Sequence, residues 1–135
     1  MDNVKNSIIV ADDSAIIKNI VKKALEEEFD VLEASNGREV IEVIGNNRDK
    51  NIVGLLLDLN MPGYDGFTVL EYFKNYNLFS KIPVSIISGD DTPETIQRAF
   101  SYEIVDLLNK PFSQDKIRMV AHKTISIGES KKMGM

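Results

Sequence analysis

Four stretches of the chain place polar side chains straight after apolar runs: "VADDS" (10–14), "LLLDLNMPGYDG" (55–66), "SIISGD" (85–90) and "LLNKPF" (107–112). They supply three carboxylates, Asp12, Asp13 and Asp58, with the hydroxyl of Ser88 and the ammonium of Lys110. Asp58 is the odd one, because a leucine run that reads as a buried strand ends on it and breaks at once into a Pro-Gly turn. Carboxylates are almost never fully buried unless something pairs with them. Three clustered carboxylates repel, so at least one should have a raised pKa unless cations intervene. Lys110 supplies one positive charge. A divalent ion would supply the rest, and oxygen ligands with no His or Cys nearby suit Mg²⁺ or Mn²⁺. An ionised carboxylate beside such a metal can attack phosphorus and become an acyl phosphate. Metal and lysine would then stabilise charge on the transferring phosphoryl group.

The elements that must hold these groups alternate from end to end. Apolar runs at 7–11, 31–34, 52–58, 83–88 and 105–109 read as strands. The third is apolar throughout until its closing Asp58, as in a strand covered on both faces. Between them lie stretches of helical period. Ile16, Ile17, Ile20, Val21, Ala24 and Leu25 recur at helix spacing after Ser14, ending in the solvated "EEE". Asn36 can cap a second helix, with Glu39 closing a capping box. Phe67, Leu70 and Phe73 mark a third, Thr92 with Pro93 opens a fourth, and Ser113 can cap a fifth. Phe67, Phe73, Phe79 and Phe100 are expected in the core. Five strands alternating with five helices make an α/β fold, a doubly wound parallel sheet with helices on both faces. Ligands in such sheets bind outside the carboxyl ends of the strands, at the topological switch point. If the strand order is 2-1-3-4-5, the polar ends at 12–13, 58, 88 and 109–110 converge.

Bulk properties narrow the alternatives. A length of 135 residues favours one domain. With 21 acidic against 16 basic side chains, the net charge of −5 offers no basic footprint for nucleic acid, so no direct nucleic-acid contact is expected. No run approaches the roughly 18 apolar residues of a membrane helix, so no membrane association is expected. "MDNVKNS" has no signal-peptide core, and the absence of cysteine suits the cytoplasm.

Taken together, "VADDS", "LLLDLNMPGYDGF", "ISG" and "NKPF", in this order and spacing, resemble the response-regulator receiver (CheY-like) domain of two-component signalling. The resemblance spans roughly residues 5–125 and implies the flavodoxin-like fold with strand order 2-1-3-4-5. It implies a receiver domain over 1–127, with 128–135 a polar tail or the start of a linker. It further implies that Asp58 accepts a phosphoryl group from a sensor histidine kinase or phosphotransfer protein. Asp13 would hold Mg²⁺ directly, Asp12 through water, and the backbone carbonyl of Asn60 would be a further ligand beside Asp58. Lys110 would pair with the aspartate and then with its phosphate, Ser88 would donate to a phosphoryl oxygen, and Pro111 would follow a cis bond. Asn60 and Asp90 occupy positions where the family tunes phosphoryl lifetime. The output would be a shift of the surface formed by helix four, strand five and helix five, read by a downstream protein or effector domain. Such a module is a switch and not a metabolic enzyme.

Some positions depart from the family pattern. Leu107 stands where an aromatic switch residue is common, so signalling by ring rotation does not carry over. Glu103-Ile104 replaces the usual small pair, and Val120 stands where an arginine supports dimerisation in winged-helix-type regulators. His122, the one histidine, reads as a surface residue. Two other functions compete. A metal-dependent phosphatase with an aspartate nucleophile would need its second acid at Asn60, and a pseudo-receiver would bind a partner without phosphate chemistry.

Overall fold

The computed structural model describes residues 5–132 and 134. Its elements run β1 (Ser7–Ala11), α1 (Ala15–Leu25), β2 (Asp30–Ala34), α2 (Gly37–Asn46) and β3 (Ile52–Asp58). They continue with α3 (Gly66–Asn75), β4 (Val84–Ser88), α4 (Pro93–Phe100), β5 (Leu107–Asn109) and α5 (Gln114–Lys132). The strands are parallel and lie in the order β2-β1-β3-β4-β5, a doubly wound, flavodoxin-like sheet.

Strand periodicity explains the two cores. Successive side chains of a strand point to opposite faces, so Ile9 with Leu55 and Leu57 enters one apolar cluster, and Ile8 with Val10 and Leu56 enters the other. The first cluster is closed by Val40 of α2 and by Val69, Leu70 and Phe73 of α3. The second is closed by Val21 and Leu25 of α1 and by Ile117 and Ala121 of α5. All seven residues of β3 are buried, Asp58 included. Each fully buried aliphatic side chain contributes about 1.5–3 kcal/mol, so a strand with several of them holds Asp58 firmly.

The helix starts follow from local chemistry. Ser14, Asn36, Asp65 and Thr92 each accept from the backbone N–H three residues on, satisfying a donor the helix cannot. Ser113 does the same for Lys116. The capping box differs by one residue: Glu39 Oε1 accepts from Ser35 N at 2.7 Å, one position before the cap.

Two expectations are corrected. Ile16, counted in the helical repeat of α1, is 74% exposed, whereas Ile17 and Val21 are the residues that meet the second cluster. Phe100, placed in the core, is 50% exposed; Ala99 occupies the point of α4 nearest the sheet, and one residue later the side chain has rotated away. The stretch from 128, expected as a polar tail or the start of a linker, continues α5 as far as Lys132. A Cβ on Gly128 would lie 2.5 Å from Pro83 Cγ, so this glycine permits a close crossing of α5 over the strand ends. Residues 133 and 135 of that stretch, and 1–4 at the start, lie outside the described residues.

Candidate functional site

Strand order and register assemble the site. Ala11 pairs with Leu57, Asp58 with Ile87, and Ser88 with Asn109, so the residues just beyond lie side by side at the carboxyl edge. Lys110 N donates to Ser88 O at 2.7 Å, tying the end of β5 to that of β4. The Lys110–Pro111 bond that follows is cis.

Asp12, Asp13 and Asp58 each offer a carboxylate oxygen, all within 4.8 Å of one another. Asp12 is 0% and Asp58 2% exposed, whereas Asp13 faces solvent. Lys110 Nζ lies 2.7 Å from Asp12 Oδ2 and 3.5 Å from Asp58 Oδ2, so the ammonium sits closer to Asp12 than to the aspartate the sequence paired it with. Ser14 N donates to Asp12 Oδ1 at 2.8 Å and Asn60 N to Asp58 Oδ1 at 3.3 Å. Burial pushes the Asp58 carboxyl up to about 6, with the Asp12 charge adding to it and Lys110 opposing it.

Around this centre the remaining candidates divide. Ser88 is buried, and its Oγ accepts from Asp90 N at 3.0 Å and donates to Asp90 O at 3.3 Å. The Asp90 carboxylate is turned towards α4. It accepts from Thr92 N at 2.9 Å and from Thr95 Oγ1 at 2.8 Å, and these bonds hold its pKa below the ordinary value. Leu107 is half-buried against the first apolar cluster, and Asn60 is exposed at the rim. His122 is exposed on α5, 3.0 Å from Glu28 Oε1 and edge-on to Phe29.

Two features of the site went unread in the sequence. A Cβ on Gly66 would fall 2.4 Å from Asp58 O and 2.7 Å from Leu59 Cα, so only glycine lets α3 begin against the backbone that carries Asp58. Its place eight residues after Asp58 was the available signal. The second is how α4 is fastened to α3. The Arg98 guanidinium lies 3.8 Å over the Phe67 ring, and Tyr102 donates to Glu71 Oε2 at 2.7 Å. No sequence spacing announces contacts between residues some thirty apart.

The donor set suits a hard divalent cation. Three carboxylates against one ammonium leave two formal negative charges in one place. Asp12 Oδ2 is buried with Lys110 as its ion-pair partner but has no donor in hydrogen-bonding geometry, so it has room for a further positive contact.

Comparison with known proteins agrees with this geometry. Residues 8–122 match the family described as the response regulator receiver domain. The chain is 28% identical over 121 residues to a sensor histidine kinase, CheAY, of Helicobacter pylori, covering 89% of this chain and 15% of that protein. It is 30% identical over 128 residues to a putative NtrX-like response regulator of Rickettsia typhi, covering 93% of this chain and 26% of that one. The chain thus spans about a quarter or less of the length of these relatives. In fold it resembles the signal receiver domain of a putative Luxo repressor protein from Vibrio parahaemolyticus. There the TM-score is 0.85 at 17% identity, over 96% of this chain and 97% of that one.

Proposed function

Because the chain belongs to the response regulator receiver domain family, a family of phosphoacceptor signalling modules, we propose that Asp58 is its phosphoacceptor. The donor is a phosphohistidine on a sensor histidine kinase or phosphotransfer protein. A matching segment within a protein named a sensor histidine kinase supports that partner class. One observation carries the reading. Asp58 is buried at the end of the central strand, yet has Lys110 within 3.5 Å and two further carboxylates within 4.8 Å. A buried carboxylate so placed costs stability, and groups held at such a cost cluster at functional sites.

In the step itself an Asp58 Oδ attacks phosphorus, the P–N bond breaks, and its electron pair returns to the donor imidazole. Mg²⁺ or Mn²⁺, held by Asp13, Asp58, the Asn60 carbonyl and, through water, Asp12, would supply positive charge against the phosphoryl oxygens. Lys110 holds one Asp58 oxygen in place and afterwards pairs with the phosphoryl group.

Ser88 links this event to the surface. Its hydroxyl is occupied by the Asp90 backbone, and the Asp90 side chain caps α4 through Thr92 and Thr95. Donation from Ser88 to a phosphoryl oxygen removes it from Asp90 O, so the loop and the α4 cap must rearrange together. Leu107 contributes packing to this motion without a ring to turn. The output is a population shift of the α4–β5–α5 surface, read by a downstream protein or effector domain.

The test is incubation with acetyl phosphate and Mg²⁺, read by intact mass. One phosphoryl addition is expected in the native chain and none in Asp58→Asn. Addition that persists in the variant rejects Asp58.

A further inference from the structure

At the other edge of the sheet, about 20 Å from Asp58 along β3, lies a cleft of about 850 Å³. Its floor is apolar: Ile44 of α2, Ile52 opening β3, and Leu78 and Ile82 before β4. Tyr72 lines one wall, its ring 4.6 Å between centroids from that of Tyr76 and tilted 39° to it. Tyr76 lies outside the cleft and is 65% exposed.

The charges in this cleft are of one sign. Every charged side chain lining it is a cation: Arg48, Lys50, Lys81 and Lys132. Among the described residues none of the four forms an ion pair, in a chain whose net charge is −5. Nor are they spent on the end of α2, where the Val43 and Ile44 carbonyls accept from the side chain and backbone of Asn47. All four are exposed, so an anion entering the cleft meets positive charge without an acid to compete for it.

We propose that this cleft is a second ligand site, for a small amphipathic organic anion. Its apolar, planar body lies on the isoleucine floor beside Tyr72, and its carboxylate, sulfonate or phosphate meets the cationic rim. A concave volume within the roughly 300–1,000 Å³ of small-molecule sites suits a compact ligand better than a protein surface. The apolar floor supplies affinity, and the cations supply orientation and choice of sign. Nothing in the proposal depends on Asp58.

The probe is anilinonaphthalene sulfonate, titrated into the full chain under native conditions and followed by fluorescence and amide NMR shifts. Saturable binding is expected with a Kd on the order of 100 μM, and shifts confined to residues 41–52, Tyr72, 78–82 and Lys132. Lys50→Glu with Lys81→Glu should weaken it about tenfold, and added salt should weaken it in the native chain. Gly45→Phe is the second variant. Gly45 lines the cleft in the last turn of α2 with nothing within 4 Å of a new Cβ, so a larger side chain meets no clash there. Its side chain should fill the cleft and abolish binding while the amide spectrum elsewhere is unchanged, and Asp58→Asn should bind like the native chain. Affinity unchanged in both cleft variants would overturn the proposal. So would shifts centred on Asp12 and Lys110 or on Ile16 and Met119, or an acidic peptide that binds where the sulfonate does not.

Discussion

The two edges of this sheet hold charge in opposite ways. At the carboxyl edge three carboxylates crowd into a space 4.8 Å across, two of them buried, with one ammonium between them. At the amino edge four cations ring an open apolar cleft with no acid lining it. Burial makes the difference. At the first edge a missing counter-charge is costly because water cannot replace it. At the second each cation is hydrated, and its neighbours matter little until a ligand displaces the water. Acid placed in a desolvated strand end therefore marks chemistry, whereas base placed in an open rim marks at most selection of a ligand.

Several measurements test that contrast, and the most severe is Asp58→Asn, expected to abolish phosphoryl addition while leaving the fold intact. Next is Lys110→Ala. Removing the ammonium leaves Asp12 buried beside Asp58 without its partner. The metal-free protein should lose about 2–3 kcal/mol in urea unfolding, somewhat less than the cost for a fully buried pair because Lys110 is partly exposed. Added Mg²⁺ should restore most of it, and a loss unaffected by Mg²⁺ would contradict a shared electrostatic site. Phosphorylated Lys110→Ala should also show smaller α4 amide shifts than the native chain.

The pH dependence is smaller and its sign is fixed. The Asp58 carboxyl ionises near 3.8 when unfolded and at about 6 when folded. Between these values the native state binds more protons at Asp58, so the contribution of this group is fully present below about pH 4 and is lost as pH rises to 6. A displacement of about two pKa units corresponds to roughly 3 kcal/mol at most. In metal-free protein the fall should be visible, and Asp58→Asn should remove it and gain up to that amount at pH 7. A stability difference between the native chain and Asp58→Asn that does not change from pH 4 to 6 would contradict the burial argument. Asp90→Ala, which deletes the acceptor for Thr92 and Thr95, should cost about 1 kcal/mol and raise hydrogen exchange in 93–100 without preventing phosphoryl addition. The smallest effect belongs to the cationic edge: Lys50→Glu should change stability by less than about 0.5 kcal/mol. A change several times larger would show that those lysines are structural.

The readable parts of the molecule share a cause. Strand β3 and its closing Asp58 stood out because a strand buried on both faces must be apolar along its length, and an acid there breaks the pattern. Caps such as Asn36 and Thr92 were readable because donor and acceptor lie three residues apart. Ile16 and Phe100 were misplaced because helical periodicity identifies a stripe but not where a covering element ends. Gly128 lay in the stretch expected as a tail or linker and Gly66 carried no reading, yet each is a place where a neighbouring element comes close, Pro83 against Gly128 and the Asp58–Leu59 backbone against Gly66.

Local chemistry and periodicity thus carried the order of elements and the polar strand ends, whereas the meeting of those ends in one acidic centre follows from the strand order. The first two depend on residues adjacent in sequence or on a repeat of two or 3.6 residues. Three matters needed the packed chain. Lys110 pairs more closely with Asp12 than with Asp58. Ser88 is linked through Asp90 to the cap of α4. Arg48, Lys50, Lys81 and Lys132 surround one cleft. The reason is common to all three. An ångström's difference between two carboxylates, a hydroxyl's choice of partner and the meeting of four distant cations are set by how strands and helices abut. Composition and spacing contain no distances of that kind.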